Sequence, residues 1–566
     1  MKLYKLFVSF LIISLLFIGF FHPIISITQD LGRHFLLGEI ILKTLSVPKT
    51  NLFSYTYPDF PFVNLHWLSE VLFFVIFKTI GFNGLLIFST TIVIASFGLM
   101  FFKLFKSNNF LALSGGSILY LLILFERTDI RPEIFSFLFL SIFLAILYKY
   151  REKYTKWIFL LPFIEILWVN MHIYFIIGNA LLFFFLLENI ILKRKKLFSK
   201  KTKVLGAIFL LSLVAALINP NWITGATYPL FFQQNYGYTI EENQNIFFLW
   251  ELFQKQTILY FAISSFLLLS SFLILFKKTR LVDLLLSAFF IFLATSAIRN
   301  FPLFVFGTFF VFVYNYSFIL SKLSSNIKKL FYVLLPIVLI FLIFNVSAKK
   351  GFGFGVESGA TKGTDFFLKN NLQNPLFNNF DIGSYLDYRF YPKINVFIDS
   401  RPESYPADFI KNTYIPMQYD EKIFSRFDNS YNFNSIFFSY LDQTPWANTF
   451  LYKIVRNPKW KIVYIDDYSI ILVKDNEQNK RLITTYGMDI NNLKFSNLND
   501  NFLSFVKASI FLNKTGLKDQ EIEMYEKILT VNPNYCPALY NLSLYYSNVN
   551  SDLSRAYSMK LQNFCK

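Results

Sequence analysis

Eleven apolar runs occupy most of the first 350 residues, at approximately 4–27, 83–104, 110–126, 133–149, 156–171, 173–192, 204–219, 257–276, 281–298, 303–321 and 330–347. A helix that crosses a bilayer needs about 20 mostly apolar residues, and runs of this length with so few charges exceed what one soluble core can bury. Composition agrees: 54% of the 566 residues are hydrophobic and 16% charged, against about 25% charged in soluble domains. The expected fold is mainly α, a multi-pass transmembrane bundle of about 11 spans. The first run is long for a signal peptide and lacks a small-x-small cleavage site, so it reads as a retained anchor.

The net charge of +18 does not point to nucleic acid. The basic residues sit in short clusters between apolar runs, with no basic face interleaved with base-stacking aromatics. With a cytoplasmic N-terminus, the inside loops hold Lys2 and Lys5; Lys103 and Lys106; Lys149, Arg151, Lys153 and Lys156; Lys193 to Lys196, Lys200, Lys201 and Lys203; Lys277, Lys278 and Arg280; and Lys322, Lys328 and Lys329. The longer outside loops hold far fewer: Arg33, Lys43, Lys49, Arg127, Arg131, Lys255 and Arg299. This asymmetry orients the bundle in the inner or plasma membrane and places residues after about 348 outside the cytoplasm.

Residues 1–348 therefore read as the membrane domain. A glycine-rich linker, 349–359, contains Gly351-Phe-Gly-Phe-Gly355. Residues 360–485 read as an extracytoplasmic α/β domain, with strands expected at 395–399, 460–465 and 470–473 and a turn at Asp466-Asp467. Residues 500–566 read as a helical tail. Its apolar spacing and the Asn532-Pro-Asn534 turn resemble a tetratricopeptide unit that packs on the α/β domain or binds an envelope partner. The two cysteines, Cys536 and Cys565, suit neither a metal site nor a redox pair. A disulfide between them is open in an oxidising compartment.

Polar residues gather at the outside ends of the runs. Asp30 follows the first run, and in a helix it shares a face with His34 one turn on. Its carboxylate suits proton acceptance from a hydroxyl or the holding of a divalent cation; the competing reading is a helix cap. Arg33 and His34 suit a phosphate. His66 and Glu70 repeat the one-turn spacing, beside Trp67 as an interface anchor. The turn from Glu126 to Glu133 is dense in charge, and Arg127 and Arg131 suit a lipid phosphate if they are not consumed in a salt-bridged turn. Asn170, His172, the Asn219-Pro-Asn221 break and Arg299-Asn300 lie at the same outer level. Such convergence is what a site requires.

The string Asp30…Arg33-His34…Gly38-Glu39-Ile40…Val47-Pro48…Asn51…Phe53-Ser-Tyr55…Pro58…Asn64…His66-Trp67-Leu68 resembles the N-terminal signature of bacterial multi-pass proteins of the GT-C glycosyltransferase superfamily. Oligosaccharyltransferases and protein O-mannosyltransferases belong to the same superfamily. Arg131-Pro132, Trp168-Val-Asn170-Met-His172, Asn219-Pro220, Arg299-Asn-Phe-Pro302, Phe380-Asp-Ile-Gly-Ser-Tyr-Leu386 and Phe397-Ile-Asp-Ser-Arg401 fall where that group has similar motifs.

The resemblance spans about 1–405. It implies sugar transfer from a polyprenyl-phosphate or -diphosphate donor outside the membrane, with Asp30 as the catalytic carboxylate. Many members carry a paired-acid motif in this loop. Here Gln29 and Gly32 stand near Asp30, so a divalent cation is not indicated. Two other readings compete: a transporter, for which no inverted repeat is visible, and a non-catalytic envelope scaffold.

Overall fold

The computed structural model describes residues 2–565 except 26, 28, 106–108, 193–198, 232–235, 239, 373, 497 and 499–500. Lys106 and the cluster from Lys193 to Lys196 thus lie outside the described residues.

The membrane body comprises α1 (Lys2–Phe20), α2 (Leu31–Thr44), α3 (Trp67–Phe105), α4 (Phe110–Leu124), α5 (Glu133–Glu152), α6 (Leu161–Met171), α7 (Ile176–Leu192), α8 (Lys200–Ala215), α9 (Trp222–Phe231), α10 (Ile246–Phe253), α11 (Gln256–Ile274), α12 (Leu281–Ser296), α13 (Phe301–Ser321) and α14 (Ser325–Lys350). Among the described residues, seven helices are long and apolar enough to cross a membrane: α1, α3, α5, α11, α14 and the helices that include α7 and α13. Shorter apolar helices, α4 and α12, accompany them. Each of the eleven apolar runs contains a helix, the remaining two being α6 and α8.

The segments between the apolar helices carry structure that hydropathy does not reveal. Helix α2 is too polar to span and lies across the first turns of α3. The crossing is close because Gly38 has no Cβ: one placed there would sit 2.3 Å from the Glu70 carbonyl oxygen. Gly81, at φ 68°, bends α3 where that outer segment meets the span. Helices α9 and α10 are short and leave large apolar side chains exposed, including Trp222, Phe231, Phe247 and Phe253.

Beyond α14 the chain forms α15 (Thr361–Lys369), β1 (Leu376–Asn378), α16 (Phe380–Phe390), β2 (Ser435–Ser439), β3 (Trp460–Ile465) and β4 (Ser469–Lys474), with further short helices between α16 and β3. The sheet order is β1-β2-β4-β3, parallel between β1 and β2 and antiparallel elsewhere. All five residues of β2 are buried, so both faces of the sheet are covered. The Asp466 carboxylate accepts the backbone N–H groups of Tyr468 and Ser469, which closes the β3–β4 turn.

Residues 395–399 are not a strand, contrary to their β-branched and aromatic pattern. They are extended, but their single bridge is Val396 to Ser54. Side chains satisfy the neighbouring backbone instead: Phe397 N–H donates to Asn378 Oδ1 at 2.9 Å and Asp399 N–H to the Tyr405 hydroxyl at 2.9 Å. The Ser54 and Thr56 hydroxyls both donate to the Phe397 carbonyl, at 3.0 and 2.8 Å, and clamp the segment against the loop between α2 and α3.

The tail consists of helices Phe502–Thr515, Lys518–Val531, Cys536–Ser547 and Ser551–Phe564, each packed on the next. Its first helix docks on the sheet domain, where Phe511 meets Tyr440 edge-on at 5.2 Å. Cys536 and Cys565 are joined by a disulfide, their Cα atoms 5.7 Å apart.

Candidate functional site

Asp30 occupies the N-cap position of α2, yet its side chain makes no capping hydrogen bond. The side chain therefore does not serve as the helix cap. The carboxylate turns outward instead. Its Oδ1 accepts from Ser400 Oγ at 3.1 Å and from Arg33 Nη2 at 3.4 Å, and its Oδ2 lies 3.6 Å from Arg131 Nη1. Burial opposes ionisation, but the Arg33 and Arg131 guanidinium groups outweigh it and hold the carboxyl below the usual range. The side chain keeps 27% of its exposure, so it is anchored and still reachable.

Three arginines converge beside it. Arg127 forks onto Glu133 through two hydrogen bonds of 3.0 Å and pairs through Nη1 with Glu242. Arg131 Nη1 donates to Glu242 at 3.1 Å and its Nη2 to Gln29 at 2.9 Å. Arg299 Nη1 donates to Asn243 at 2.8 Å and lies 3.9 Å from Glu242. Burial again opposes ionisation of Glu242, and Arg131, Arg127 and Arg299 override it.

Histidines line the inner side. His34 Nδ1 lies 2.9 Å from Glu70 Oε1, and Asn64 Nδ2 donates to Glu70 Oε2 at 2.6 Å. The rings of His66 and His172 lie 5.1 Å apart, and His172 Nδ1 pairs with Ser136 Oγ at 2.8 Å. Burial lowers His66 to about 3, with the nearby His34 adding to the shift. The ring is therefore neutral at physiological pH, and its Nδ1 is buried without a hydrogen-bond partner.

These groups face one cavity of about 990 Å³ between the membrane body and the sheet domain. Eight of the sequence-derived candidates line it: Asp30, Arg33, His34, His66, Arg127, Arg131, His172 and Arg299. Two do not. Glu70 is spent behind His34, where its two oxygens orient the imidazole and Asn64. Asn170 joins elements, accepting from Trp67 Nε1 at 2.7 Å and donating to the Ile166 and Ile218 carbonyls. Glu242 and Asp442 also line the cavity and were not singled out in the sequence, and Asp381 of the Phe380–Leu386 string joins them. Glu242 lies in the loop between α9 and α10, where the Glu241-Glu242 pair between apolar stretches was the available signal.

A divalent cation does not suit this set. Among the described residues no group of three or more His, Cys, Asp or Glu side chains could hold a metal ion. The Asp30 oxygens face two guanidinium groups and a hydroxyl.

Together the helices and the sheet define a multi-pass helical body that carries a sheet domain, with the cavity between the two. No protein-family model matches the chain, and no curated protein matches it in sequence. Among solved structures it is similar to the archaeal oligosaccharyltransferase AglB from Archaeoglobus fulgidus, in complex with an inhibitory peptide and a dolichol-phosphate. The TM-score is 0.59 at 9% identity, over 94% of this chain and 86% of that one. It is also similar to an Archaeoglobus fulgidus oligosaccharyltransferase in complex with zinc and sulfate, with a TM-score of 0.54 at 10% identity, over 92% and 85% of the two chains. At such identities the likeness is one of fold.

Proposed function

We propose that the chain is a membrane glycosyltransferase that moves a sugar from a polyprenyl-phosphate-linked donor to an extracytoplasmic acceptor. The observation that carries this reading is the meeting of an uncapped, ionised Asp30 with a three-arginine cluster in one cavity. Asp30 orients the acceptor hydroxyl and takes its proton as the new glycosidic bond forms. The arginines neutralise the phosphate that departs with the lipid. Phe248, Leu252 and Phe253 of α10 line the same cavity and offer the isoprenoid an apolar wall. The neutral imidazoles of His66 and His172 suit sugar hydroxyls.

In this reading eleven spans bring the chain out near residue 348. The membrane domain is 1–348, the linker 349–359, the extracytoplasmic α/β domain 360–485, and the tetratricopeptide-like tail 500–566 recruits an envelope partner. The archaeal neighbour's dolichol-phosphate supports a lipid-linked donor.

The test is transfer of label from polyprenyl-phosphate sugars by the purified full-length protein in lipid nanodiscs. Label that never leaves the lipid, across hexosyl and pentosyl donors with extracted envelope glycans and proteins as acceptors, overturns the reading.

Two finer expectations concern Asp30. Ser400 is a positioning residue, so Ser400→Ala lowers kcat about tenfold, equivalent to about 1.4 kcal/mol in the barrier, while KM for the donor holds. An unchanged kcat removes Ser400 from the site. The second expectation is a shift in pH dependence. Because Asp30 is held below the ordinary carboxylate range, the wild-type rate keeps its ionised base as pH falls into that range. Arg131→Ala removes one of the two opposing charges, raises the Asp30 pKa and moves the acid limb of the pH–rate profile upward. An acid limb that stays in place, or moves to lower pH, contradicts the pairing.

A further inference from the structure

Glu242 sits where a ligand would. The turn Glu241–Asn243 enters the cavity from the loop between α9 and α10 and presents one carboxylate to the three guanidinium groups of Arg127, Arg131 and Arg299. One of those groups, Arg127, is already forked onto Glu133. The remaining donors outnumber what a two-oxygen anion can satisfy. Arg131 Nε and Arg299 Nε are both buried with no hydrogen-bond partner. Arg299 Nη1 reaches Asn243 rather than making a short contact with Glu242. A tetrahedral oxyanion carries more acceptor oxygens and up to twice the charge, so it fits this under-supplied cluster better than a carboxylate does.

We propose that Glu242 is an internal competitor seated in the phosphate position, and that a phosphorylated lipid enters by displacing it. The inference rests on the reading of the arginine cluster as the lipid-phosphate seat and deepens it. Glu242 becomes a specificity-determining residue. A fatty carboxylate, with two acceptor oxygens and one charge, offers nothing that Glu242 does not already supply and is refused. A phosphate or diphosphate offers more and is admitted. The apparent affinity for the donor is the intrinsic affinity reduced by the fraction of molecules in which the seat is vacant.

The experiment measures binding of farnesyl phosphate and of palmitate to the full-length protein in nanodiscs. Glu242→Gln keeps the shape and removes the competing charge. It is expected to bind farnesyl phosphate about tenfold tighter than wild type, the gain if the seat is vacant about a tenth of the time. It is also expected to bind palmitate, which wild type refuses. Glu242→Asp, which keeps the charge but withdraws it, is expected to fall between the two and guards against a folding defect in the glutamine variant. If both variants bind farnesyl phosphate no tighter than wild type, while Arg131→Ala still weakens wild-type binding, Glu242 is not a competitor and the arginine seat stands. If wild-type binding is indifferent to Arg131→Ala, the seat itself is wrong and the proposal falls with it.

Discussion

Asp30→Asn lowers the transfer rate by about 10²- to 10⁴-fold, the range a positioned general base contributes. The amide keeps the volume and can still meet Ser400 and Arg33, but it cannot take a proton. The loss therefore falls on kcat, with KM for the lipid donor little changed. Stability changes little, because the Asp30 pairs with Arg33 and Arg131, at 3.4 and 3.6 Å, are partly open to solvent. Initial rates with a labelled polyprenyl-phosphate sugar, alongside a thermal melt of the same preparation, decide it. A variant that folds and transfers at the wild-type rate removes Asp30 from the chemistry.

Arg401→Ala has the largest expected effect on stability. Arg401 and Asp399 form an ion pair of 2.7 Å whose side chains are 1% and 0% exposed. Arg401 also donates to Asn51 Oδ1 at 2.8 Å and lies 4.8 Å from the ring centres of Phe53 and Phe62. Removing it leaves the Asp399 carboxylate buried beside Tyr405 without its counter-ion, a loss of about 3–5 kcal/mol. The fall is read as a lowered melting temperature of the full-length protein. Asp399→Leu combined with Arg401→Met recovers much of it, since a buried pair replaced by apolar groups is often close to neutral. A single variant as stable as wild type contradicts this account. Because Ser400 stands between the two, the single variant also loses activity.

The membrane body was legible because its signal is local. A run of some twenty apolar residues needs no knowledge of its neighbours, and each run contains a helix. Asp30, Arg127, Arg131 and Arg299 were legible as polar residues at one outer level, a reading that uses only the topology. What failed depends on long-range partners. Glu70 has the same one-turn spacing from His66 as His34 has from Asp30, but the closeness of α2 to α3 at Gly38 directs its carboxylate to His34 instead of the cavity. Residues 395–399 have strand composition, yet they form no ladder with the sheet: Asn378 of β1 meets them through its side chain, and their single bridge is to Ser54. Glu242 meets Arg127 across 115 positions of sequence, a pairing that no spacing rule reaches.

The bond between Ser400 and Asp30 joins residues 370 positions apart. Its consequence concerns the making of the protein. Asp30 is synthesised directly after the first apolar helix, whereas Ser400 follows the last of them in the chain. A nascent chain halted before residue 400 carries Asp30 without its Ser400 partner. On the proposed function, assembly order acts as a safeguard: a half-made chain has no aimed base until translation has passed residue 400.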